Sequence, residues 1–235
     1  MNPPSVSPLE LRNVSGTCSD GTSVNGISAA FAAGRVHLLR GANESGKTAL
    51  FRYAGLLEES ADGEALVNGG TTRTLGEDAR TELRTQRFGF VFAAPFLLCS
   101  FSVIENVAMP LFKISQVGPD EARRRTEALL DFVGLNDLAE TIVDHIEPYA
   151  QYQVALARGL INEPAVLMVE NLDGTLAAAE LSDFMEMLRK AAGAFDAAII
   201  ATTSPEFQPQ AGDRVLDIVD GAIARDSEIQ PEICE

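Results

Sequence analysis

Positive charge is what this chain has least of: 18 Lys plus Arg stand against 34 Asp plus Glu, a formal net charge of −16 at pH 7. Such a surface repels a nucleic-acid backbone and an anionic membrane surface, so no nucleic acid is expected as a partner. A protein, or a small molecule complexed with a cation, is the better candidate. Cysteine is scarce as well, with Cys18, Cys99 and Cys234 odd in number and widely spaced. No pair has metal-ligand spacing, which argues against zinc and disulfides and suits a reducing cytosol. The opening Met1-Asn2-Pro3-Pro4-Ser5 lacks the basic and apolar regions of an export leader and reads as a short flexible lead-in. No internal repeat is found. One uncharged stretch, Phe88 to Ile104, comes close to the length of a membrane-spanning helix, but Pro95 interrupts it and Ser100 and Ser102 add polarity. A buried strand, Phe88-Gly89-Phe90-Val91-Phe92, running into a loop accounts for it better.

What is present suffices for a packed core. At 46% hydrophobic and 22% charged, the 235 residues make one domain of α/β size, 1–235. The informative stretch is Gly41-Ala42-Asn43-Glu44-Ser45-Gly46-Lys47-Thr48, which fits G-x-x-x-x-G-K-[ST], the loop that wraps the phosphates of a nucleoside triphosphate. Arg35 to Arg40 before it suits a buried strand, and Thr48 to Leu57 after it has helical spacing, the context that the motif requires. Glycines at 41 and 46 let backbone N–H groups converge on phosphate, Lys47 supplies a point charge, and the Thr48 hydroxyl can hold Mg²⁺. The candidate nucleotide-binding residues are those eight and Ala49. A plain Gly-rich turn before a helix is the alternative, and the flanking strand and helix weigh against it.

Taken in order, Leu9 to Val14 alternates as a half-exposed strand, Val24 to Phe31 suits a second, and Ala33-Gly34 is a tight turn. Gly63 to Gly70 reads as a strand closed by a turn, and a polar connection carrying Arg73, Arg80 and Arg84 leads to the strand at 88–92. From about Phe96 to Gly159 the pattern is helical, with Pro119-Asp120-Glu121-Ala122 opening a helix whose Ala128, Leu129, Phe132 and Val133 form an apolar stripe. Ala165 to Val169 and Ala197 to Ala201 are fully buried strands flanking a helix at Ala177 to Ala192. Asp220-Gly221 inside Arg214 to Ala224 signals a hairpin, followed by an acidic tail.

This order, with Gly89-Phe90-Val91-Phe92, then Glu105-Asn106-Val107-Ala108-Met109-Pro110-Leu111, and later Ala155-Leu156-Ala157-Arg158-Gly159-Leu160-Ile161-Asn162-Glu163-Pro164, resembles the ATP-binding subunit of ABC transporters over nearly the whole chain. The 105–111 stretch is most similar to the lipoprotein-releasing and macrolide-exporter branch, whose ATPases dimerise around two ATP molecules. The resemblance implies an α/β fold: a P-loop NTPase (RecA-like) core with a mostly parallel sheet, an antiparallel β subdomain, and a helical subdomain inserted at 96–159. It also implies Mg²⁺ and ATP as ligands. The implied partners are a membrane permease subunit and a second copy or second ABC ATPase, at a cytoplasmic location, peripheral on the inner face of the cell membrane.

Against the family's motifs, only the phosphate loop is intact. The Gln that links metal and attacking water falls on Ala93, and the signature Leu-Ser-Gly-Gly-Gln falls on Ile146-Glu147-Pro148-Tyr149-Ala150. Counted from Pro164, the metal-supporting Asp falls on Glu170 and the catalytic Glu on Asn171. The switch His falls on Thr203, the bridging Asp after Gly174 and Leu176 on Ala177, and the adenine-stacking aromatic on Cys18. A second register would put Glu170 at the catalytic position and Val169 at the metal; Pro164, Gly174 and Leu176 favour the first. Glu170 then joins Thr48 as a metal ligand, directly or through water, because one more methylene keeps the oxygen chemistry.

Asn171 has no basic lone pair for a water proton, and loss of a general base costs roughly 10²–10⁴ in rate. Thr203 cannot replace an imidazole, Pro148 has no N–H, and Glu147 brings negative charge to a helix start that the family uses for phosphate. Each substitution also suits an ordinary helix start, turn or strand end, but together they point to ATP binding with impaired hydrolysis. A regulatory or scaffold protein using nucleotide as a structural ligand is the alternative, and a P-loop kinase a third. The Arg123-Arg124-Arg125 cluster beside Asp120, Glu121 and Glu127 reads as a solvated helix face rather than a phosphate lid.

Overall fold

The computed structural model describes residues 6–114 and 117–230. The lead-in at 1–5 and Cys234 lie outside them. Six strands make one sheet in the order β10-β9-β3-β8-β7-β6: β3 (Arg35–Arg40), β6 (Phe88–Val91), β7 (Val166–Val169), β8 (Ala198–Thr203), β9 (Arg214–Val219) and β10 (Ala222–Glu228). All neighbours are parallel except β9 and β10, whose hairpin turns at Asp220-Gly221 with φ of 49° and 75°, both in the left-handed region that a tight hairpin demands. A second, antiparallel sheet runs β2-β1-β4-β5, from β1 (Leu9–Thr17), β2 (Ser23–Phe31), β4 (Asp62–Val67) and β5 (Gly70–Thr71).

The continuous apolar runs in β7 and β8 arise because both faces of the parallel sheet are covered. Leu167, Val169, Ile199 and Ala201 face a core shared with the helices, including Leu156, Leu160, Phe184 and Leu188. Val166, Met168, Ala198 and Ile200 face the other core, with Phe31, Leu50 and Phe51 from the antiparallel sheet and the first helix. With a period of two, every residue is inside, and each buried Val, Leu, Ile or Met side chain contributes about 1.5–3 kcal/mol.

The helices are α1 (Lys47–Ala54), α2 (Glu77–Arg87), α3 (Val103–Ile114), α4 (Pro119–Val133), α5 (Pro148–Leu160) and α6 (Ala178–Phe195). Helix α2 corrects the expected polar connection. It has almost no apolar stripe, with Arg80 its single buried residue, but Glu77 and Asp78 open it and Arg84 and Arg87 close it, complementing the helix dipole. Helix α4 is as expected in its start at Pro119 and stops at Gly134 (φ 75°), but its stripe is rotated. Ala128 is exposed, and Ala122, Thr126, Leu129, Leu130 and Val133 are the buried set. Residues 96–102 are irregular rather than helical, and expose Phe96 and Phe101.

Candidate functional site

The loop 41–46 leaves the end of β3 and turns into α1; two backbone bonds hold it from outside and a third braces one of its holders. The Gly41 N–H donates to the Thr203 carbonyl at the end of β8 (3.2 Å), and the Gly221 N–H of the β9–β10 turn donates to the Ser45 carbonyl (2.8 Å). The Asn25 N–H in β2 donates to the Gly221 carbonyl (2.8 Å), so both sheets clamp the loop. Gly46 is required: its φ is 95°, and a Cβ there would lie 2.5 Å from the Ser23 carbonyl oxygen and 2.9 Å from Gly221 Cα. Glu44 also sits at positive φ, 65°, where a side chain is strained.

Lys47 is buried, and its Nζ donates to the Ala42 carbonyl of its own loop (2.8 Å). Burial holds its ammonium below the usual lysine range, and the carboxylate of Asp173 pulls it back up. Ser45 Oγ is buried without a partner. The loop is therefore closed on itself, with donors that a phosphate oxygen would satisfy better than Ala42 does.

At the carboxyl ends of the strands a cavity of about 180 Å³ is lined by Asn43, Lys47, Thr48, Phe51, Ala93, Glu170, Asn171 and Thr202. The loop is thus brought together with three strand-end positions of the sequence reading: Ala93, Glu170 and Asn171. Glu170 Oε2 accepts from the Ala93 N–H (3.4 Å), and the Asn171 N–H donates to Thr202 Oγ1 (2.8 Å) with Asn171 at φ 43°. Thr48 and Glu170 present hard oxygen donors in one cavity, a set that fits Mg²⁺ completed by water and phosphate oxygens. Thr203 stands behind the loop, buried, with Oγ1 unpartnered. A second concavity of about 730 Å³ flanks the loop on the side of Pro205, Asp217 and Arg225.

Other expected positions lie apart from this cavity. Glu147 and Pro148 open α5, which packs on α3, α4 and β6. Ala177 is exposed before α6, where Glu180 reaches back to its N–H (3.0 Å). Cys18 is only 4% exposed, with Sγ 4.0 Å from the Ala49 carbonyl, so it packs against α1 rather than facing outward; burial pushes its thiol up. Arg123 pairs with Glu127, and Arg124 and Arg125 with Glu121, all at 2.7 Å along α4.

Asp173 was missed by sequence reasoning. It lies in the 3-10 turn at 172–174, its Oδ2 accepts the Ser204 N–H at 2.6 Å, and its Oδ1 is buried without a partner. No spacing rule flags it, because its contact with Ser204 arises from the turn between β7 and α6.

The family model described as "ABC transporter" matches residues 24–172. The lipoprotein-releasing system ATP-binding protein LolD of Acinetobacter baylyi is 33% identical over 217 residues, covering 91% of this chain and 95% of the relative. The methionine import ATP-binding protein MetN of Escherichia coli is 32% identical over 185 residues, covering 77% of this chain and 53% of MetN. Among solved structures, the dimeric bacterial ABC transporter cassette MJ0796 has a TM-score of 0.80 at 24% identity, covering 94% of this chain and 99% of that one. CbiO1 of Clostridium perfringens, part of the cbiONQ transporter complex, has a TM-score of 0.82 at 23% identity, covering 94% and 88%. These two likenesses show the fold, that of an ABC ATPase cassette, an α/β P-loop NTPase.

Proposed function

The chain belongs to the ABC transporter family, and on that premise we propose that it is the ATP-binding subunit of a transporter complex that binds Mg-ATP but hydrolyses it little by itself. The observation that carries this reading is the 180 Å³ cavity, which gathers Lys47, Thr48 and Glu170 together with Asn171, the residue on which the resemblance puts the base. Lys47 Nζ exchanges the Ala42 carbonyl for a phosphate oxygen, while backbone N–H groups of the loop take the remaining oxygens. Thr48 and Glu170 would hold Mg²⁺, whose charge would neutralise the phosphates. The Asn171 amide orients a water molecule at best, because it cannot accept a proton. Thr203 offers a hydroxyl where the resemblance expects an imidazole.

Glu147 and Pro148 do not line the cavity of their own chain, so a phosphate reaching them belongs to a nucleotide on a second ATPase subunit, identical or different. Docking on a permease is supported by one surface feature. A groove of about 290 Å³ is lined by Arg84, Phe88, Phe90, Phe92, Pro110 and Arg158, with the rings of Phe90 and Phe92 stacked at 5.4 Å and Phe96 edge-on to Phe92 at 5.7 Å. Arg158 of α5 donates to the Pro95 (2.6 Å) and Phe96 (2.8 Å) carbonyls, tying that groove to the helix whose start would meet the partner's nucleotide. Among the described residues no helix is long and apolar enough to cross a membrane. A peripheral position on the inner face of the membrane, held by the permease, completes the reading.

Phosphate release under saturating Mg-ATP tests it. Wild type, Lys47→Ala and Asn171→Glu are expected to give the same background, because groups acting as a unit are strongly non-additive and one repair is too little. Turnover near ~1 s⁻¹ that vanishes in Lys47→Ala would overturn the impaired-site reading and move the base to Glu170.

A further inference from the structure

A buried charge is costly unless a partner is firmly committed to it, and Arg80 has no such partner. It is 7% exposed, on a helix that buries nothing else, and its one ion-pair partner among the described residues is Glu59 (2.9 Å), whose own side chain is 65% exposed. Both residues line a cavity of about 280 Å³ enclosed by β1, β4, the end of α1 and the start of α2, which shares no residue with the cavity beside the phosphate loop. Two further charges of opposite sign face it, and neither has an ion pair among the described residues. Arg73 donates from Nη1 to the Gly63 carbonyl (2.6 Å), and Glu64 accepts from the Thr71 hydroxyl. Val14 and Leu56, 1% and 4% exposed, add an apolar wall.

We propose that this cavity is a second binding site, for a small zwitterion of the α-amino acid type, whose carboxylate takes Arg80 and Arg73 from Glu59 and whose ammonium meets Glu64. The inference goes beyond the nucleotide reading and does not rest on it. A planar guanidinium matches a carboxylate with two parallel N–H donors, and a desolvated one binds it more strongly than a surface one does. Glu59 stands in for that carboxylate in the empty cavity, and being exposed it can swing out to water. Glu58 does not compete for the ammonium, because it already accepts from Ser19 and pairs with Arg52 (3.0 Å). A plain anion is disfavoured by Glu64 and by the net charge of −16, and a plain cation by two guanidinium groups; a zwitterion satisfies both signs at no net charge. The volume lies below the roughly 300–1,000 Å³ of sites for drug-sized ligands, which suits a free amino acid and is small for a nucleotide. Its side chain would lie on Val14 and Leu56.

Calorimetric titration of the full chain with free glycine, alanine, serine, valine and leucine decides the matter. At least one is expected to bind with Kd below about 1 mM, and its N-acetyl and carboxamide derivatives, each lacking one of the two charges, at least about tenfold more weakly. Arg73→Gln and Glu64→Gln, at positions that are not buried, should each weaken the amino acid by about tenfold. Glu59→Gln removes the resident competitor and should tighten it by about tenfold. That sign separates a ligand site from a structural clamp: if Glu59 only braces Arg80, its loss leaves binding unchanged or weakens it, and the proposal falls. It falls equally if no amino acid of the panel binds below about 1 mM, or if an N-acetyl or carboxamide derivative binds as tightly as its parent, which would mark a site for one charge alone. Arg80→Gln should abolish binding; should that variant fail to fold, the Arg73, Glu64 and Glu59 variants still decide.

Discussion

Two helix N-termini, those of α1 and α5, carry the same backbone dipole and are built for opposite purposes. Helix α1 opens on Gly46 at φ 95°, has no acidic residue in its first turn, and follows a loop clamped by Gly221 and Thr203. Its free N–H groups and Lys47 converge on a cavity. Helix α5 opens on Glu147 at φ −59° with Pro148 in the first turn, and the Gln151 N–H closes back on the Glu147 carbonyl at 3.2 Å. As a helix start this is sound, since the N–H that Pro148 lacks would have had no intrahelical partner and a carboxylate favours the positive end. For an external anion the same two features remove a donor and add repulsion. Being a stable helix start and being an anion site are therefore separate properties, and a chain can keep the first while losing the second.

The largest test of this contrast is Lys47→Ala, which should weaken Mg-nucleotide binding by about 100-fold in a fluorescent-nucleotide titration, since a charge-assisted bond from a buried cation is lost. Equal binding by both proteins would show that the loop is not the site. Next, Gly46→Ala forces a Cβ onto the Ser23 carbonyl oxygen, and chemical denaturation should register a loss of about 2 kcal/mol together with weaker nucleotide binding. An unchanged midpoint would mean that the β9–β10 turn yields without cost. A smaller effect belongs to α5. Glu147→Ser with Pro148→Gly should raise phosphate release by an intact partner ATPase in a mixed complex by about tenfold; no change would show that this helix start never meets a phosphate. Smallest is Glu44→Gly, where relief of left-handed strain of about 1 kcal/mol is offset by the similar entropy that glycine loses on folding. Melting temperature should hardly move, while affinity rises about twofold as a like charge leaves the loop. A clear drop in melting temperature would mean that Glu44 carries a stabilising contact.

Much of the fold was legible for identifiable reasons. The strands at 166–169 and 198–203 read as buried because a parallel sheet covered on both faces admits apolar residues at every position, and the Asp220-Gly221 pair marked its hairpin because that turn needs two positive φ values. Helix α2 escaped notice because the period-3.6 signal depends on a buried face, and this helix buries only Arg80, held by Glu59 at 2.9 Å. The stripe of α4 was misplaced by one position because Ala128 is apolar yet exposed, while Thr126 is polar yet buried, its hydroxyl satisfied by the Ala122 carbonyl at 2.8 Å.

By itself the sequence determined the phosphate loop, the strands around it and the family, because these depend on residue types at fixed short spacings: glycines where the backbone must turn, a lysine and a threonine one step later, apolar residues at every position of a covered strand. Only the tertiary structure decided which distant groups meet that loop. It brought Gly221 from the far hairpin onto Ser45 and set Glu170 against the Ala93 N–H. It turned Cys18 inward under α1 and lodged the Asp173 carboxylate at the end of β8, on the Ser204 N–H. Those contacts span from 31 to more than 170 residues of chain, and they arise from sheet order and the packing of two cores, which no local pattern of residues encodes.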